Sequence, residues 1–143
     1  MTTYRLQKAL MATCCCLVAG SPTQAQAEAG IWDGVYTEQQ ATRGAVTYLE
    51  VCAGCHGEDM RGDSNSPSLV GMSFMFLWEE RSLGELFASI RTAMPPTNPN
   101  SLPSDSYLDI LAYIMQANNF PAGQDKLSAE PGKQDRILIT GKP

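Results

Sequence analysis

The chain has 143 residues and weighs 15.5 kDa, with 43% hydrophobic and 17% charged side chains, one domain's worth of ordinary globular sequence. Ten basic against fifteen acidic side chains leave a net charge of −5, so the basic face that nucleic-acid binding requires is missing. Five cysteines beside a single histidine starve most metal-cluster and triad readings, and no apolar run reaches the roughly 18–20 residues of a membrane-spanning helix.

Residues 1–27 read as a signal peptide. Arg5 and Lys8 make a positive start, Ala9 to Ala19 is an uncharged apolar run, and Ser21-Pro22 leads to the small-residue pattern Ala25-Gln26-Ala27. Cleavage is expected after Ala27, with Ala25 and Ala29 as alternatives. The rivals are a buried N-terminal helix and a lipid anchor on Cys14, Cys15 or Cys16, for which Thr13 is a poor preceding residue. Export places the mature chain in the periplasm. It then has 116 residues (143 − 27) and a charge of −7, from 8 basic (10 − 2) and 15 acidic side chains. Only Cys52 and Cys55 remain, in an oxidising compartment, and a disulfide closing so short a loop adds little stability.

Residues 28–36 read as an irregular lead-in, with Trp32 and Tyr36 as docking aromatics. A domain over 37–120 follows. Thr37 and Gln40 form a capping box for a first helix that carries Ala41, Ala45, Tyr48, Leu49 and Cys52 on one face. Gly44 lies within it, where glycine costs up to about 1 kcal/mol against alanine; it marks either a close backbone approach or a tolerated weak spot. Gly57 to Gly71 reads as loop, and Phe74, Phe76, Leu77 and Trp78 as an apolar patch. Ser82 and Glu85 form a second capping box, followed by an amphipathic stripe of Leu83, Leu86, Phe87 and Ile90. Pro95-Pro96 stops that helix near Met94. After a proline-rich loop over 95–103, Ser104 or Asp105 caps a last helix with Tyr107, Ile110, Leu111 and Ile114 on its face and Leu108 and Met115 beside them. Asn118-Asn119 ends it. Residues 121–143 form a C-terminal extension, packed on the domain or partly flexible, in which Ile137-Leu138-Ile139 makes a short strand or a strap. The fold class is all-α, three main helices with loops.

The chemistry sits in Cys52-Ala53-Gly54-Cys55-His56, the attachment pattern of c-type haem. Two intervening residues at a helix end bring both sulfurs to one side, where they can add to two vinyl groups of a porphyrin. The adjacent histidine can turn under the ring as an axial iron ligand. Zinc would want four ligands, and the mature chain supplies three such groups. A thioredoxin-like pair would need a strand-helix-strand setting, which is not evident. A plain disulfide is the bland alternative.

His56 is the only histidine, so a sixth ligand would be lysine or methionine. Met60 follows His56 too closely to reach the far side of the ring. Met72 and Met75 lie in the apolar patch with nothing to fix them, and Met115 reads as core filler. Met94 sits where two prolines stiffen the chain and can hold a sulfur at one distance from iron.

With these residues in place the chain resembles the class I c-type cytochromes over about residues 36–120. The shared order is a capped helix into Cys52–Gly57, then Ser66-Pro67-Ser68-Leu69, Met94-Pro95, and a closing helix containing Leu108 to Ile114. The resemblance implies one covalent haem c, the cytochrome c fold, and His56 and Met94 as axial ligands. It implies Pro67 as acceptor of the histidine's far ring nitrogen and Leu69 as a cofactor-binding neighbour. It matches Gly44, Tyr48, Ile110 and Tyr113 to the crossing of the first and last helices. Trp78 to Met94, together with Asn119 to Gly123, is similar to small cytochromes associated with periplasmic quinoprotein dehydrogenases. The lysine-rich face of the mitochondrial members is absent.

The expected function is one-electron transfer by a protein without catalysis of its own, a dehydrogenase as donor and an oxidase or another cytochrome as acceptor. Leu69, Val70, Phe74 and Phe76 are candidates for a partner surface, though pocket packing is the preferred role for each. The alternatives are a five-coordinate haem protein that senses or transforms a small ligand and, behind it, a thiol-disulfide exchanger.

Overall fold

A computed structural model describes residues 30–143; the expected signal peptide over 1–27 lies outside the described residues. Five helices follow in order: α1 (Glu38–Val51), α2 (Ala53–His56), α3 (Gly71–Trp78), α4 (Leu83–Ala93) and α5 (Ser104–Ala117). Short 3₁₀ turns stand at Ile31–Asp33 and Gln134–Arg136. The architecture of the described residues is all-α, as expected, and none of the described helices is long and apolar enough to cross a membrane.

The first capping box forms as predicted. The Thr37 hydroxyl accepts from the Gln40 amide and the Gln40 side chain accepts in return from Thr37. Gln40 also reaches the other end of the chain. Its side-chain amide donates to the Leu127 carbonyl at 3.1 Å and accepts from the Leu127 N–H at 2.8 Å. One buried glutamine thus starts α1 and ties down the C-terminal extension. The second box, Ser82 with Glu85, starts α4. At α5 the expected cap is replaced. Pro103 occupies the N-cap with no side-chain bond, its carbonyl accepting from Tyr107 at 3.2 Å, and Asp105 sits in the first turn where its charge suits the helix dipole.

Helices α1 and α5 cross at Gly44. A Cβ there would overlap the backbone carbonyl of Asp109, so only glycine lets the two backbones come this close. Beside the crossing, Arg43 forks onto the Asp109 carboxylate, both N···O distances 2.7 Å. Tyr48 packs edge-on against Tyr113, ring centroids 5.6 Å apart. Beneath them lies the core, including Ala41, Leu108, Leu111, Ile114 and Met115.

Two further expectations change, and one open alternative is decided. The patch over 74–78 belongs to helix α3, whose crowded apolar sequence hides a helical period. Within it Phe74 is buried and Phe76 is 90% exposed, so Phe76 does not pack in the pocket. Leu49 lies off the buried face of α1 and is 52% exposed. The Ile137–Ile139 segment is a strap: it makes one antiparallel bridge, Ser82 to Leu138, and backbone bonds to Glu80, Arg81 and Leu83. Its end is held by Trp32, whose indole N–H donates to the carbonyls of Thr140 and Gly141.

Candidate functional site

Helix α1 runs directly into the cysteine motif. Cys52 ends α1, and its carbonyl accepts from both Cys55 (3.1 Å) and His56 (3.0 Å), winding the tight turn of α2. That turn leaves Cys52 half-buried, Cys55 exposed and His56 buried. Tyr48, fully buried one turn earlier on α1, donates its hydroxyl to the Gly57 carbonyl at 2.7 Å and pins the turn from below. Burial, with Cys52 nearby, pushes that hydroxyl well above the usual tyrosine range, so it stays a donor.

Nδ1 of His56 lies 2.9 Å from the Pro67 carbonyl. A carbonyl only accepts, so Nδ1 carries the proton and Nε2 keeps its lone pair for a metal. The loop holding Pro67 is itself built tightly. Gly62 donates to the His56 carbonyl at 2.8 Å in a left-handed conformation (φ 64°), where a Cβ would overlap the Ser66 carbonyl. The Asp63 carboxylate accepts from the amides of Asn65 and Ser66, and Leu69 donates to the Met60 carbonyl. Asn118, at the end of α5, donates to the Leu69 carbonyl and accepts from Gly71. Pro67 and Leu69 are therefore fixed relative to both His56 and α5.

These groups surround a cavity of about 330 Å³, within the size range of small-molecule and cofactor sites. Cys52, Cys55, His56, Pro67, Leu69 and Met94, all singled out from the sequence, line it together. Of the methionines considered for iron, only Met94 is on the lining. Met60 and Met115 are buried in the core and Met72 is 91% exposed. Met94 ends α4, donating its N–H to Ile90 at 2.9 Å, and its peptide bond to Pro95 is cis.

The remaining wall comes from stripes that the sequence presents as ordinary core. Leu86 and Ile90 of α4, and Ile110 and Ile114 of α5, face the cavity, as do Leu77 and Trp78 at the end of α3. The Arg81 guanidinium covers Trp78 from 4.4 Å, a cation–π contact that steadies this wall. Only a helical period over 71–78 would have exposed the α3 contribution, and eight consecutive residues with a single polar side chain do not show one.

The donor set suits a covalently attached haem: two thiols one turn apart, an imidazole with its outer nitrogen engaged, and a thioether from a separate segment, around an apolar cleft. It suits thiol-disulfide exchange poorly. Burial, followed by the neighbouring Cys55, pushes the free Cys52 thiol up to about 11, which leaves it protonated at neutral pH and a weak nucleophile.

The sequence model of the family described as "Cytochrome C oxidase, cbb3-type, subunit III" matches residues 39–114, from the start of α1 to the later turns of α5. No curated protein and no solved structure matches the chain. With more than half of its residues under that match, the chain belongs to the cytochrome c family that the model describes, and its cofactor is covalently bound haem c.

Proposed function

We propose that the protein is a periplasmic one-electron carrier whose haem iron is held by His56 and Met94, exported by its N-terminal signal peptide. It would accept electrons from a dehydrogenase and pass them to a respiratory chain. The observation that carries this reading is the convergence of Cys52, Cys55, His56 and Met94 on one apolar cavity. When bound, haem supplies an iron that alternates between ferrous and ferric states and so moves a single electron.

The chain's own residues do the rest. Cys52 and Cys55 would tether the porphyrin, and the exposure of Cys55 would leave the tethered side within a partner's reach. The Pro67 carbonyl keeps the imidazole in one tautomer and raises its basicity. The apolar walls from α4 and α5 exclude water, which limits solvent reorganisation when the charge changes. With His56 and Met94 both holding the iron, a substrate would find no open position on it, which supports transfer over catalysis. A mature charge of −7 favours partners with a cationic docking face and makes encounter rates fall as salt rises.

The test is the visible spectrum of the mature holoprotein, oxidised and reduced, with and without carbon monoxide, beside Met94→Ala. A low-spin wild type indifferent to carbon monoxide, with a variant that binds it, is the expected pair. A wild type that binds carbon monoxide readily would instead mean an open iron site, and with it a sensor or an enzyme.

A further inference from the structure

Met94 is followed by two prolines, which have no N–H, so the chain just after the sulfur-bearing residue lacks its own backbone donors to anchor it. Its N–H is tied to Ile90, which holds the α4 side only. The Met94 carbonyl is held from outside the loop. Tyr107, in the first turn of α5 and 1% exposed, donates its hydroxyl to that carbonyl at 2.8 Å. The same hydroxyl takes the N–H of Leu102, at the far end of the loop, at 3.4 Å. Residues 96–101 between these ends are exposed, and Asn100 fastens the middle to α4 through Arg91. One buried hydroxyl therefore closes the loop at both ends, yet Tyr107 is not itself on the cavity wall.

We propose that Tyr107 is the positioning residue for the axial sulfur: its hydroxyl holds the Met94 carbonyl against α5 so that the thioether stays directed at the iron and small ligands are kept out. This rests on the assignment of Met94 as the sixth ligand. An exogenous ligand binds only when the loop opens, so its apparent affinity scales with the open fraction. Losing one buried hydrogen bond raises that fraction by about fivefold to tenfold.

The experiment is imidazole titration of the ferric holoprotein, read together with the thioether-to-iron charge-transfer band at the red end of the visible spectrum. Four forms are compared: wild type, Tyr107→Phe, Tyr36→Phe and Met94→Ala. Tyr36 provides a matched control. It is a buried tyrosine whose hydroxyl donates to a backbone carbonyl, Phe120 at 2.7 Å, far from the Met94 loop in sequence and outside the cavity lining. Tyr107→Phe is expected to bind imidazole about fivefold to tenfold more tightly with a weakened band, Tyr36→Phe to match wild type, and Met94→Ala to set the fully open limit. Equal tightening in both tyrosine variants would mean general loosening of the fold and would overturn the proposal, as would a Tyr107→Phe variant indistinguishable from wild type. A wild type that lacks the band and binds imidazole like Met94→Ala would remove the Met94 assignment itself. Should Tyr107→Phe not load haem, Asn100→Ala removes one of the loop's two bonds to α4, the one from the Arg91 side chain, at an exposed site and leaves the Asn100 N–H on the Arg91 carbonyl. It must then tighten imidazole by less than Met94→Ala for the loop to be the gate, and no tightening at all would refute it.

Discussion

The crossing of α1 and α5 makes a prediction whose sign separates two physical effects. On helix propensity alone, Gly44→Ala stabilises α1 by up to about 1 kcal/mol. The structure predicts the reverse. The new Cβ would overlap the Asp109 carbonyl and crowd the Ile110 amide. Both belong to the backbone of α5, so no side chain can rotate aside and the helices must separate. Overpacking of this kind costs about 1–3 kcal/mol, and a rigid backbone partner places it at the upper end. After the propensity gain is subtracted, a net loss of about 1–2 kcal/mol remains. In a domain of this size that lowers the melting temperature by about 4–8 °C for each kcal/mol. The displacement also reaches the cofactor, because Ile110 and Ile114 on α5 line the cavity with Tyr48 of α1. Urea and thermal unfolding of the mature holoprotein measure the first effect, and the visible spectrum reports the second. An alanine variant as stable as wild type, or more stable, would show that the two backbones do not meet as described.

Two further predictions concern charge. Arg43 forks onto Asp109, whose side chain is only 10% exposed, whereas Arg61 faces Asp59 with both side chains largely in water. Arg43→Gln should therefore lower stability clearly in urea unfolding and Arg61→Gln hardly at all, since removing one partner of a desolvated pair strands the other; equal effects would contradict the burial difference. Glu85 is held below its ordinary 4.5 by the Ser82 amide, with help from Arg81. A carboxylate depressed in the folded state stabilises it above the unfolded value and loses that contribution as pH falls through the folded one. Glu85→Gln keeps an acceptor at the cap but not the charge, so the stability gap between wild type and variant should narrow on the acid side of 4.5, as followed by unfolding across pH.

What the sequence made legible is what short-range chemistry dictates. Thr37 with Gln40 and Ser82 with Glu85 are local patterns, and both form. Pro95-Pro96 leaves the helix one way to end, and it ends there. The motif from Cys52 to His56 stands out by its fixed spacing and Met94 by the two prolines after it, whereas Pro67 is reached only through the resemblance to the class I c-type cytochromes. What stayed hidden depends on neighbours distant in sequence. The short helix α3 has no side-chain cap and too few polar residues to show a period. Leu49 fits an apolar stripe by spacing but lies on the rim of α1, where the neighbouring element leaves it open. The α4 and α5 stripes read as core because a cavity wall and a packed core select the same side chains.

Helix α5 accounts for how these pieces act together. At its first turn Tyr107 holds the Met94 carbonyl; at its second the Asp109 carbonyl meets Gly44 and the Asp109 carboxylate takes Arg43. Ile110 and Ile114 face the cavity, and at its end Asn118 holds the Leu69 carbonyl of the loop that places Pro67. The imidazole side and the thioether side of the site are thus both referenced to one rigid rod 14 residues long. A shift of α5 along or away from α1 would move both proposed iron ligands. A shift confined to the loop after α4 would release the methionine alone. The two kinds of damage are distinguishable: the first weakens the haem spectrum as a whole, and the second opens the iron to imidazole and weakens the thioether band while costing only the roughly 1 kcal/mol of one buried hydrogen bond. Gly44→Ala belongs to the first class and Tyr107→Phe to the second, so measuring both variants by both readouts tests whether the sulfur is held by the fold as a whole or by one hydroxyl within it.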